Sequence, residues 1–112
     1  MRKLPVAVLV AAAAAVLAAQ APAAERSIKI GDDFYVRKGD PPTVTVVKGT
    51  RVTWRWTGRE KHNLAVTRGP ARFNSPSKEK GTYSRTMRRT GTYTIVCTIH
   101  QPDMAMRLKV TR

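Results

Sequence analysis

The feature that most constrains this chain is a period-two alternation that recurs in short runs, with no helical period anywhere after Ser27. Val44 and Val46 alternate with Thr43 and Thr45, and Val52, Trp54 and Trp56 alternate with Arg51, Thr53, Arg55 and Thr57. Tyr93, Ile95 and Cys97 alternate with threonines and Val96, and Met106, Leu108 and Val110 with Arg107, Lys109 and Thr111. One face of each run is bulky and apolar, the other mostly Thr, Arg or Lys. That is a sheet with one face on a core and one in water. Turn residues punctuate the runs at Gly31-Asp32-Asp33, Gly39-Asp40-Pro41-Pro42, Lys48-Gly49, Gly58, Gly69-Pro70, Asn74-Ser75-Pro76, Gly81 and Gly91. The pattern predicts strands near 27–37, 43–48, 51–57, 62–67, 83–88, 92–98 and 104–111, with a long loop over 68–80. About seven short strands without helices predict an all-β, two-sheet sandwich. Its core candidates are Ile28, Ile30, Val44, Val46, Val52, Trp54, Trp56, Leu64, Val66, Met87, Tyr93, Ile95, Leu108 and Val110.

The head of the chain has a different character. Arg2 and Lys3 precede an apolar run from Val6 to Ala19, and Ala21-Pro22-Ala23-Ala24 supplies small residues. These are the charged, apolar and cleavage regions of a secretory signal peptide, and the run falls short of the ~20 residues a membrane span needs. Residues 1–24 are therefore expected to be a signal cut near Ala23 or Ala24, leaving one domain over 25–112 with no membrane anchor, in the periplasm or outside the cell. Loss of Arg2 and Lys3 leaves 19 basic against 7 acidic residues, a formal +12. A lone cysteine excludes a disulfide-stapled secreted fold. A chain of this length has room for one small core and little for an enclosed substrate pocket.

One constellation carries chemistry. Cys97, His100 and Met104 place a thiolate, an imidazole and a thioether within one turn between two strands, and His62 lies upstream at the start of another. A soft thiolate, two imidazoles and a weak axial thioether form the ligand set of a blue-copper site. A metal under the loop can hold Cys97 at the end of one strand and Met104 at the start of the next, with His62 closing the plane.

Gly91 through His100 (GTYTIVCTIH), followed by Met104 and preceded by His62-Asn63, resembles the plastocyanin/azurin family of cupredoxins. The resemblance runs from about Ile28 to Val110. It implies a Greek-key β-sandwich of seven or eight strands, one type 1 copper per chain, and single-electron transfer between redox partner proteins. It makes His62 the upstream imidazole, Cys97 the thiolate, His100 the exposed imidazole and Met104 the axial ligand. Asn63 would tie two ligand loops together, and the edge of His100, near Ile99 and Pro102, would be the electron exit. Three residues, Gln101-Pro102-Asp103, separate His100 from Met104, where family loops commonly have two or four. Met106 is a second thioether two residues on, and Val110, six residues beyond Met104, favours Met104.

Other readings compete. Cysteine in a strand is often a small buried hydrophobe, His62 could be a solvated turn residue, and Met104 could fill the core. A periplasmic copper carrier or store without redox shuttling would use the same ligand types. The charge, with Arg85, Arg88 and Arg89 clustered, could mark a nucleic-acid or adhesion surface. The aromatics, however, share the core parity, so no nucleic-acid partner is expected. Steering toward an acidic redox partner is the functional alternative to a merely solvated surface. No general base, nucleophile pair or open metal position is evident, so an electron carrier and not an enzyme is expected, acting as a monomer.

Overall fold

The computed structural model describes residues 24–37, 41–101 and 103–112. Residues 1–23 of the expected signal segment, the Gly39-Asp40 half of one turn and Pro102 lie outside the described residues. Eight strands form: β1 Glu25–Gly31, β2 Phe34–Tyr35, β3 Thr43–Val47, β4 Arg51–Trp56, β5 Ala65–Arg68, β6 Gly81–Thr86, β7 Gly91–Val96 and β8 Ala105–Thr111. They make two four-stranded sheets, ordered β2-β1-β4-β6 and β3-β8-β7-β5. From β2 to β7 every connection passes from one sheet to the other, so pairs distant in sequence become neighbours. β1 runs parallel to β4 and β3 parallel to β8, while the remaining pairs are antiparallel. The result is the all-β sandwich expected from the alternation. Among the described residues no helix is long and apolar enough to cross a membrane.

The alternation places the core as expected. Every core candidate named above is buried, and Trp54 is fully buried between the sheets. β4 and β8 show the period most plainly, burying Val52, Trp54 and Trp56 and Met106, Leu108 and Val110 while their alternate residues face outward. Removing apolar area from water at about 25 cal/mol per Å² is what drives the sheets together.

Two segments differ from expectation. The strand expected over 27–37 is broken at Asp32-Asp33 into a tight hairpin, with Ile30 paired to Tyr35 and Gly31 to Phe34. Asp33 takes φ 69°, a left-handed conformation that Asp tolerates better than most side chains. The 68–80 segment is not a loop free of the core. Phe73 is buried, Ala65 bridges Asn74, and His62 bridges Lys78. The Phe73 ring packs against Trp54, Tyr83 and Tyr93 at centroid distances of 6.0, 6.4 and 6.0 Å.

Candidate metal centre

The site is built at one pole of the sandwich, where β7 ends and β8 begins. Cys97 follows β7 directly, and the turn after it is closed by backbone hydrogen bonds. His100 N donates to Cys97 O (3.2 Å), Met104 N to His100 O (3.3 Å) and Cys97 N to Met104 O (3.0 Å). The last bond continues the β7–β8 ladder by one step, and it sets the fully buried Met104 beside Cys97.

His62 arrives from the connection after β4. Its backbone exchanges two hydrogen bonds with Lys78, each of 3.0 Å, and its carbonyl accepts the Trp56 indole N–H at 2.9 Å. Asn63 then bridges to the second loop. Its side-chain oxygen accepts from Thr98 N at 2.9 Å, and its amide nitrogen donates to Thr98 Oγ1 at 3.1 Å. The Asn63 carbonyl accepts from Tyr35 Oη at 2.6 Å. Burial, and secondarily the charge of Cys97, raise the Tyr35 phenol far above its ordinary range, so it stays a donor. The tie implied for Asn63 is present: the loops carrying His62 and Cys97 are locked to each other through its side chain.

The donor atoms converge. Cys97 Sγ lies 3.5 Å from His100 Nδ1 and 4.0 Å from His62 Nδ1. All three atoms lie within 4.8 Å of one another. Metal–donor bonds of about 2.0–2.3 Å in a trigonal plane put donors about 3.5–4 Å apart, so the two sulfur–nitrogen distances fit one first-row ion. Cys97 and His62 are fully buried, whereas the His100 side chain is 26% exposed. His100 is thus the ring at the surface, next to Ile99, which is 51% exposed. Met106 is also fully buried, but it lies within β8, paired with Ile95, two residues farther from the turn than Met104.

Carboxylates sit among these ligand-type residues in a way that the alternation did not signal. Asp32 Oδ1 lies 2.9 Å from His62 Nε2. The same carboxylate accepts the backbone N–H groups of Arg59 and Glu60, each at 3.0 Å. The hydrogen bond from His62, reinforced by those two N–H groups, holds the Asp32 carboxyl down at about 2. Asp33 and Glu60 carboxylates stand 3.7 and 3.6 Å from His100 Nε2. In sequence, Asp32 and Asp33 read only as turn residues. Nothing local distinguishes a turn aspartate from one whose carboxylate is carried across to another strand.

A mixed two-sheet sandwich with a buried cysteine sulfur and two imidazoles at one pole defines a cupredoxin-type copper protein. The sequence matches the model of copper binding proteins of the plastocyanin/azurin family over residues 38–111, and the chain belongs to that family. Its cofactor is accordingly copper. Comparison with curated protein sequences gives no match. Among solved structures, a Cu(I) form of an amicyanin variant is 31% identical, with 83% of this chain and 87% of that chain covered, at a TM-score of 0.61. A purple cupredoxin from Nitrosopumilus maritimus shares the fold at 21% identity, over 77% of this chain and 99% of the other, with a TM-score of 0.64. A Cu-containing nitrite reductase from Thermus scotoductus matches at 20% identity and TM-score 0.64, over 79% of this chain. The chain spans only 22% of that reductase's length.

Proposed function

We propose that His62, Cys97 and His100 hold one type 1 copper ion with Met104 as axial ligand, and that the protein carries single electrons between redox partners. The observation that carries this reading is the asymmetry of the cluster: Cys97 Sγ and His62 are sealed from solvent while His100 reaches the surface. A sealed thiolate suits a site that exchanges electrons and binds no substrate, and an imidazole edge at the surface offers a short path to a docked partner. Copper bound here supplies a one-electron couple. The chain holds the ligand atoms in place through the Asn63 tie and the three-bond 97–104 turn, so little has to move as the charge changes. The same sealing supports a carrier over an enzyme.

Export completes the proposal: residues 1–24 act as a signal, the mature domain is a soluble monomer of the periplasm or cell exterior, and its formal charge favours an acidic partner. Mass spectrometry of protein from the cell envelope is expected to give a chain cut near Ala23 or Ala24. The deciding experiment on function is visible and EPR spectroscopy of the purified protein with Cu(II), followed by voltammetry. An intense thiolate-to-Cu(II) band and a reversible one-electron wave are expected. Tight Cu(I) binding without a reversible wave would make it a copper carrier instead.

A further inference from the structure

Asp32 is placed by long-range structure. The end of β1 is pinned to the end of β4, with Ile30 paired to Trp56 and both Thr57 N and Thr57 Oγ1 donating to Ile30 O at 2.8 and 3.1 Å. That pairing delivers the β1–β2 turn over the segment leading to His62. Gly58 makes room for it. A Cβ there would collide with the Asp32 carboxylate and come within 2.9 Å of its backbone nitrogen. The carboxylate is then held by two backbone N–H groups before it meets the imidazole, so it is a fixed acceptor and not a side chain that swings.

An ionised carboxylate only accepts hydrogen bonds, and a neutral imidazole has one N–H and one lone pair. With Asp32 at 2.9 Å, the proton of the buried His62 must sit on Nε2, which leaves the lone pair on Nδ1, the nitrogen facing Cys97 Sγ. Among the described residues His100 has no equivalent partner, since its neighbouring carboxylates stand 3.6 Å or more away.

We propose that Asp32 is a positioning residue for the copper: it fixes the His62 tautomer with Nδ1 toward the metal, and its negative charge favours Cu(II) over Cu(I). The proposal rests on His62 being a ligand. Outer carboxylates of this kind orient ligand imidazoles and raise their basicity, and their loss typically costs 10–100-fold in metal affinity.

The test uses full-length-matured protein carrying Asp32→Asn, Asp32→Ala or Gly58→Ala, with Asp33→Asn as a control that removes a carboxylate near His100 but breaks no bond to His62. In the apo wild type, nitrogen NMR of the imidazoles is expected to show His62 as the Nε2–H tautomer. Asp32→Ala is expected to weaken Cu(II) binding more than Cu(I) binding by tenfold or more, raising the reduction potential by about 59 mV or more. Asp32→Asn, which keeps an acceptor oxygen but not the charge, should keep the tautomer and raise the potential part of the way. Gly58→Ala, which pushes the carboxylate aside with its charge retained, should disturb the tautomer and broaden the EPR spectrum. A His62 found as the Nδ1–H tautomer, or Asp32 variants whose potential matches that of Asp33→Asn, would overturn the proposal. Failure of the ligand reading looks different: His62→Ala would then leave the copper spectrum unchanged.

Discussion

Cys97 is buried like the apolar residues around it, yet unlike them it offers a sulfur that binds a soft metal as a thiolate. Replacing it with Ser keeps the size and removes the accessible anion, because a hydroxyl does not ionise in the range where a thiol does. Cys97→Ser is expected to abolish the visible thiolate-to-Cu(II) band, which a titration with Cu(II) followed by absorbance reads directly. The two buried methionines separate in the same way. Met104 closes the 97–104 turn, while Met106 points into the core from within β8. Met104→Leu should leave copper bound and raise the potential through loss of thioether donation to Cu(II), by up to about 59 mV for a tenfold change in preference. Met106→Leu, a swap of similar volume, should leave the potential nearly unchanged and cost less than about 1.5 kcal/mol in denaturant unfolding. Reversal of the two effects would move the axial assignment to Met106. Cys97, His100 and Met104 were legible in sequence because one short turn carries them. Asp32 was not, because its partner lies 30 residues away and its importance comes from a parallel pairing that no local pattern encodes.

Strands with one wet face announce themselves through alternation, which is why β3, β4, β7 and β8 fall close to their expected positions. The segment between β5 and β6 does not, because it contributes single residues to the core without completing a strand. Phe73 is the clearest case. It is preceded by Arg72, followed by Asn74-Ser75-Pro76, and reads as a loop residue. In the fold it closes the aromatic group with Trp54, Tyr83 and Tyr93, and Arg85 lies over its ring at 4.7 Å. Asn74 and Lys78 then bridge to β5 and to His62, so this segment also backs His62. Phe73→Ala is expected to cost about 3–5 kcal/mol in urea unfolding, since a buried aromatic leaves a cavity its neighbours refill only in part. The copper spectrum should persist in the folded fraction, because Phe73 supplies no donor. A loss below about 1 kcal/mol would mean that the segment detaches from the core in solution.

Charge belongs to the whole molecule, and its sign differs between long range and contact. The full chain carries a formal +14, and the exposed Arg59 and Lys61 closely precede His62. At the surface edge of His100, however, the carboxylates of Asp33 and Glu60 stand 3.7 and 3.6 Å from its Nε2. A second basic cluster, Arg85, Arg88 and Arg89, lines an open cleft with Met87 and Tyr93 at the start of β7. β7 spans six residues before Cys97, so at about 3.3 Å per residue that cleft lies about 20 Å from the copper end. Oxidation of the Cu(I) protein by an anionic complex such as hexacyanoferrate(III), followed by stopped flow, separates these contributions. The rate should fall as salt rises, since the Debye length shrinks from about 10 Å at 0.1 M to about 3 Å at 1 M. Reversing Arg59 and Lys61 to Glu should slow association more than reversing all three arginines of the far cleft, although the latter changes more charge. Arg59 and Lys61 adjoin Glu60, whose carboxylate lies 3.6 Å from the exposed imidazole, and charges at the rim of a contact act mainly on association. Asp33→Asn with Glu60→Gln should accelerate the same reaction by removing the repulsion at contact. A larger loss from the far cleft would place productive approach at the pole away from His100. Indifference to salt and to every reversal would instead assign docking to the apolar rim that Ile99 forms beside His100.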